Sequence, residues 1–400
     1  MPDDEVPRPT GDQSAGIRVL IVVTTYWPLV GGLEAHAQHL AENLASRGHE
    51  VAVLTSGHDV KLPRRETRGG VDIVRVPVRG TPARIPVMPS YPVHALRLIP
   101  STDVVAVYIP LAEAGFVCWL AHRLRKPVVL SYFYDPEPRG RVREWLRQKT
   151  LGKLNRLAAR SSDYIVVPSH DYADQSSVLR SYRSKLRVVT PLVDIGRPAE
   201  PGLDLADNGN GQDGPVIAMA ARIAPEKGIE YLLKALPDLI RDYPGLRLAM
   251  TGERRPSLGC EAYFRRIEPM LDRYQDHIEF AGVLDRSELP AFMAGADVLV
   301  VPSIDAREAF GMVQVEAMLC GTPVVASDLP GMREPVSRTG MGVLVPTHDP
   351  AALANGIRSV LSDPPRFSCS REEIAQIYDA RAALDTYEHL LREAIRRSSR

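Results

Sequence analysis

The chain has 400 residues, 44% hydrophobic and 24% charged, and its 49 basic side chains are matched by 49 acidic ones. That length exceeds one ordinary hydrophobic core and implies two domains. Zero net charge argues against nucleic-acid binding, and Cys118, Cys260, Cys320 and Cys369 fall in no metal or disulfide spacing, which fits a reducing cytoplasm.

Residues 1–16 are polar and proline-rich, with Asp3, Asp4 and Glu5 where a targeting signal needs positive charge, so they read as a disordered tail. Strands are then expected at 17–25, 49–55, 71–78, 103–109, 127–132, 163–168 and 186–190, and helices at 32–47, 112–125, 141–160 and 171–182. Such alternation implies a parallel sheet covered on both faces. The apolar stretch Val104 to Ala121 has the length of a membrane span, but Pro110-Leu111 and Glu113 divide it into a strand and a helix.

The first strand runs into Thr24-Thr25-Tyr26-Trp27-Pro28 and then Gly31-Gly32, which opens a helix with Leu33, His36, Ala37, Leu40 and Leu44 on one face. Two glycines at that place let a ligand touch backbone N–H groups, although a tight turn uses them as well. The turn does not carry the dinucleotide pattern G-x-G-x-x-G. Further on, Arg139 to Arg160 carries eight basic residues against Glu144, with Trp145, Leu146, Leu151, Leu154 and Leu157 interleaved. This is a core-packed helix with a solvated basic face, a surface for anionic lipid, or one wall of a cleft for an anionic acceptor.

Residues 200–214 are rich in Gly, Asp and Asn without periodicity and read as a linker. The strand pattern then restarts at 216–221, 246–251, 278–281, 297–302, 323–326 and 342–345. Arg222 and Lys227-Gly228 follow the first of these, ahead of a helical run. Two cations at the carboxyl end of a strand suit a diphosphate, Arg as a fork and Lys as a point charge. A solvated basic loop has the same composition. After the strand at 297–302 comes Glu308-Ala309-Phe310-Gly311-Met312-Val313-Gln314-Val315-Glu316. The first glutamate falls on the loop and the second one turn inside the next helix. A helix end attracts phosphate, and carboxylates accept hydrogen bonds from vicinal hydroxyls. By themselves the two glutamates fit an ordinary acidic helix start equally well.

The three motifs, in this order, resemble the family 4 retaining glycosyltransferases of GT-B fold, over roughly residues 17–396. Pro168-Ser169, Tyr172-Ala173 and Gly321 to Ala326 match as well. The resemblance implies an α/β protein: two Rossmann-like doubly wound domains facing a cleft. An acceptor domain would span 17–199 and a nucleotide-sugar domain 215–378, with 379–400 a helix packing back on the first. It makes Arg222 and Lys227 the diphosphate clamp and Glu308 the ligand of the donor sugar, the three of them carrying catalysis. Phe310, Gly311 and Met312 would lie beside that sugar. Glu316 becomes the ribose ligand, Gly31 and Gly32 backbone contacts to phosphate, and Val283-Leu284 the place where the base is read.

Two departures stand out. Ala221 replaces the family's usual glycine before the arginine. Phe133, in Pro127 to Asp135, aligns with a histidine that many relatives carry near the reacting sugar, so Tyr132, Phe133, Tyr134 and Asp135 become the candidates on the acceptor side. No D-x-D occurs, so no metal or other cofactor is expected. The implied reaction moves a hexosyl group from a UDP- or GDP-sugar to a hydroxyl of a glycan, lipid-linked or small-molecule acceptor, with retention. A catalytically weakened nucleotide-sugar binder and a nucleotide-sugar epimerase are the rival readings. Contact with an anionic membrane through 139–160 completes the set of expected partners.

Overall fold

In the computed structural model, residues 16–29, 31–59, 61–81, 86–136, 142–198, 214–255, 260–305 and 308–398 are described. The tail at 1–15 and all of the expected linker but Gly214 lie outside them.

The first sheet has eight strands: β1 Arg18–Val22, β2 Glu50–Gly57, β3 Arg65–Arg68, β4 Val71–Pro77, β5 Val104–Ile109, β6 Val128–Tyr132, β7 Tyr164–Val167 and β8 Leu186–Val188. Their order is β3-β4-β2-β1-β5-β6-β7-β8, and every pair is parallel except β3 with β4. β5 (VVAVYI) and β7 (YIVV) are buried along their whole length, as a sheet covered on both faces requires. The covering helices include α1 Gly32–Ser46, α2 Tyr91–Leu98, α3 Ala114–Arg123, α4 Val142–Ser161 and α5 His170–Gln175.

The second sheet has six parallel strands: β9 Val216–Ala220, β10 Arg247–Thr251, β11 Ile278–Gly282, β12 Val298–Val301, β13 Val324–Ser327 and β14 Gly342–Val345. Their order is β11-β10-β9-β12-β13-β14. Its helices are α6 Ile229–Asp242, α7 Glu261–Arg273, α8 Leu289–Ala294, α9 Met312–Leu319, α10 Glu334–Thr339, α11 Pro350–Ser362 and α12 Arg371–Ile377. The last helix, α13 Ala380–Ser398, returns to the first sheet. Its Leu384, Tyr387, Leu390 and Leu391 lie in one apolar cluster with Ile21, Ala37, Leu40 and Val129.

Three local differences from the expected elements have identifiable causes. The helix expected over 171–182 breaks at Ser176, whose backbone turns to φ −68°, ψ 123°. Its Oγ accepts from the N–H groups of Val178 and Leu179 and donates to Asp135, replacing helical bonds with side-chain ones. β3 (RETR) is an edge strand of charged and polar residues without apolar alternation, so periodicity does not reveal it. In α4 the packed face is not the leucine stripe. Gln148, Gly152, Asn155, Ala158 and Ala159 are buried, while Trp145, Leu146 and Leu157 are among the exposed large apolar residues.

Candidate active site

In each sheet the chain crosses from one side of a strand to the other, and a crevice opens there at the carboxyl ends. In the first sheet the reversal lies between β1 and β5; in the second it lies between β9 and β12. The Gly31-Gly32 loop follows β1, Arg222 and Lys227 follow β9, and Glu308 follows β12. All three motifs therefore stand at switch points.

Gly31 is the N-cap of α1 in extended backbone, and no side chain caps the helix. The first-turn N–H groups of α1 are left to other partners. A Cβ on Gly32 would stand 3.3 Å from the Met312 methyl, which places the loop of the first sheet against the start of α9 on the second.

On the second side, Lys227 Nζ donates to the Glu308 carboxylate across 81 residues of sequence. The loops that carry them are also joined through backbone, Ile304 N–H donating to Glu226 O at 3.0 Å. Gly228 makes the turn into α6 at φ +65°, where a Cβ would drive into the Pro302 carbonyl. Arg222 is half-exposed, and its Nη2 donates to buried Glu226 at 2.9 Å. The two cations thus come pre-arranged, each held by a carboxylate.

Gly311 is the N-cap of α9 at φ +71°, again with no side-chain cap. Gln314, fully buried, holds this loop: its Nε2 donates to Phe310 O at 3.1 Å and Met332 O at 3.0 Å. Glu316 lies one turn inside α9, on the face that Met312 presents toward Gly32. Burial pushes its carboxyl up to about 7, opposed by the charge of Arg286. Arg286 itself donates to Asp194 O and Oδ2, at 2.9 and 3.1 Å, in the segment that joins the two sheets. Leu284 packs on the apolar cluster that contains Phe310 and Val315, and Val283 beside it is exposed.

The acceptor candidates divide. Tyr132 is fully buried, and its hydroxyl donates to Asp135 at 2.8 Å and accepts from Asn155 at 3.3 Å. Asp135, also buried, accepts in addition from Ser176 Oγ at 2.9 Å and Ser177 N–H at 3.3 Å. Burial raises its carboxyl, and these hydrogen bonds draw it back. These two residues brace β6 against α4 and the turn after α5, and their contacts are internal. Tyr134 is half-buried, with its hydroxyl on Gln148 at 3.1 Å. Phe133 is half-buried, 5.1 Å from the ring of His36 and stacked 6.2 Å from Tyr108. His36 does not take the place of the aligned histidine. It is buried behind Phe133, its Nδ1 is 3.1 Å from the Tyr108 hydroxyl, and burial lowers it to about 3, leaving it neutral.

Sequence reasoning missed Gln314 and Arg286. The first lay in plain view inside the Glu308–Glu316 segment, but a glutamine in the first turn of a helix ordinarily faces solvent. The second lay two residues past Leu284 with nothing in its spacing to distinguish it.

The family model for glycosyl transferases group 1 matches residues 204–377, and that for a glycosyl transferase 4-like domain matches residues 31–191. A D-inositol 3-phosphate glycosyltransferase of Kineococcus radiotolerans is 30% identical, the match covering 84% of this chain and 83% of that one. A phosphatidyl-myo-inositol mannosyltransferase of Mycobacterium leprae is 26% identical over 91% of this chain and 93% of the relative. Among solved structures, Anabaena HepE in complex with UDP and glucose superposes with a TM-score of 0.74 at 19% identity, over 94% of this chain and all of that one.

The two sheets, with their motifs at the switch points, are the architecture of a GT-B glycosyltransferase. The chain belongs to the glycosyl transferases of group 1, within family 4, and is a transferase.

Proposed function

We propose that this protein is a retaining, metal-independent hexosyltransferase that takes its sugar from a nucleoside diphosphate donor, UDP- or GDP-linked, and delivers it to an acceptor hydroxyl. The observation that carries this reading is the Lys227–Glu308 pair beside the uncapped start of α9, facing Gly32. Arg222, Lys227 and the helix end supply positive charge where the leaving diphosphate gains negative charge. In this reading Glu308 accepts from sugar hydroxyls, and Glu316 from the ribose. The charge that a metal would bring to the leaving group is supplied by these cations. The leaving phosphate itself takes the acceptor's proton, on the face from which it departs, which yields retention.

Release of nucleoside diphosphate from UDP-glucose and GDP-mannose, with chelator present, tests the reading. Turnover persists in chelator, and Arg222→Ala lowers it about 10²–10³-fold, the scale of losing one donor at a developing charge. Chelator-abolished turnover, or wild-type rates in the variant, would overturn it. The two curated relatives both carry inositol in their names, so inositol-bearing polyols and their phosphates are the first acceptors to supply.

Peripheral membrane contact through α4 is part of the same reading. Trp145 and Leu146 are exposed, and Lys149 Nζ lies 4.6 Å over the Trp145 ring. Apolar and cationic groups on one surface suit anionic lipid. No helix among the described residues is long and apolar enough to cross a membrane. Co-sedimentation with phosphatidylserine-containing vesicles at low salt checks it; absence of binding refutes it.

A further inference from the structure

The largest fully buried side chain among the described residues is that of Arg75 on β4, which ends in a guanidinium. Taking such a cation out of water costs several kcal/mol unless good acceptors surround it. Arg75 has three, on two separate stretches of chain. Nη1 donates to Pro63 O at 3.1 Å, while Nη2 donates to Trp27 O at 2.9 Å and to Glu66 Oε1 at 2.5 Å. Trp27 lies in the segment between β1 and the Gly31-Gly32 turn, two strands away from β4. A second arginine of the same hairpin, Arg68 on β3, lies 3.9 Å over the Trp27 ring. The segment is therefore held at its start, where Ser56 N–H donates to Thr24 O at 3.1 Å, and again at Trp27, by carbonyl and by ring face.

We propose that Arg75 is a positioning residue for transfer: by fixing the Trp27 carbonyl it presents the uncapped backbone of the Gly-Gly turn to the leaving diphosphate. This rests on the reading that the turn meets that diphosphate. A planar fork suits the task, since one guanidinium bonds three acceptors in one plane. The polar hairpin β3, with no side chain at the crevice motifs, then has a reason to exist: it supplies Glu66 and Arg68, and Pro63 just before it, to hold the loop of β1.

The test uses Arg75→Lys, Arg75→Met and Arg75→Ala in the full chain. Lysine keeps the charge and much of the stem, but its single nitrogen pairs with Glu66 and releases Trp27. Three measurements follow. Hydrogen exchange of peptides covering 23–33 speeds up in Arg75→Lys while peptides of β5 and β6 stay unchanged; equal exchange in that segment overturns the pinning. The kcat for nucleoside diphosphate release falls about ten-fold in Arg75→Lys and further in Arg75→Met, while UDP or GDP affinity falls clearly less than kcat, because Arg222, Lys227 and Glu316, which hold the nucleotide in this reading, lie on the second sheet. Guanidinium ion at millimolar concentration partly restores kcat in Arg75→Ala and not in Arg75→Lys, a readout that a loss of stability alone would not give. Unchanged kcat in folded Arg75→Lys, or nucleotide affinity falling as far as kcat, overturns the proposal. Failure of the underlying reading looks different: wild-type protein then binds no nucleoside diphosphate, or Arg222→Ala binds it equally well.

Discussion

Glu316 carries two opposed demands. No hydrogen bond to its carboxyl forms among the described residues, and burial pushes it from 4.5 up to about 7. The folded protein therefore holds this proton more tightly than the unfolded chain between those values. By linkage, the contribution to stability is complete below pH 4.5, falls as pH rises through that window, and is lost above pH 7. Glu316→Gln removes the ionisation, so the variant should gain up to about 3 kcal/mol relative to wild type above the folded value and nothing below the unfolded one. The same substitution should weaken nucleotide binding by roughly ten-fold, since hydrogen bonds to a charged group contribute about 1.5–3 kcal/mol. Denaturant melts at the two pH extremes and a nucleotide titration check both halves. A variant that neither gains stability at high pH nor loses affinity would show that Glu316 is an ordinary solvated carboxyl without a role in nucleotide binding.

At the scale of elements, two glycine turns and one serine decide where the site's helices begin and end. Gly228 turns the chain from Lys227 into α6 at φ +65°, with Pro302 O where a Cβ would go. Gly340 ends α10 at a similar φ, +69°, but has nothing within 4 Å. Gly228→Ala should therefore cost clearly more than Gly340→Ala. The second bears only the left-handed penalty of about 1–2 kcal/mol, while the first also pushes the loops after β9 and β12 apart and separates Lys227 from Glu308. Equal melting shifts for the two variants would contradict this. Ser176, by contrast, ends a helix that apolar spacing extends to residue 182. The spacing was legible, but the competing side-chain bonds to Asp135 and to the next two N–H groups arise only when β6 and α5 lie side by side. The burial pattern of α4 has the same origin. Its leucines look like a core stripe, but α3 meets it at Gly115, where a Cβ would stand 3.0 Å from the Leu154 carbonyl oxygen and 3.2 Å from the Leu157 side chain, and Trp145 is left exposed.

At the scale of the molecule, the two sheets are tied at several points. Asp171 of α5 accepts from Gly331 N–H at 2.8 Å, and Ala309, next to Glu308, lies in the apolar cluster of the first sheet. α13 closes the chain back on that sheet, with Arg47 paired to Asp385 and Glu388 above the buried Leu391. Leu391→Ala should lose about 2–5 kcal/mol, the cost of a cavity in a closed core. Nucleotide affinity should hold, because Arg222, Lys227, Glu308 and Glu316 lie on the other sheet. Chemical denaturation alongside nucleotide titration checks this, and a parallel loss of affinity would mean that α13 shapes the donor site.

Strand and helix alternation, the division into two sheets and the three loop motifs were written in local sequence, because burial periodicity and glycine or charge at a strand end are properties of neighbouring residues. Arg222, Lys227, Glu308 and Glu316 could be named for the same reason. Strand order could not, and it alone puts those motifs at two switch points facing one another. The pairings that span long stretches of chain belong with it: Lys227 with Glu308, Gly32 with Met312, Arg75 with Trp27. So does the inward turn of Tyr132 and Asp135, which look like acceptor ligands in sequence and prove to hold each other. Spacing reports which face of an element is apolar; only packing determines which polar atom meets which, since that depends on elements brought together from distant parts of the chain.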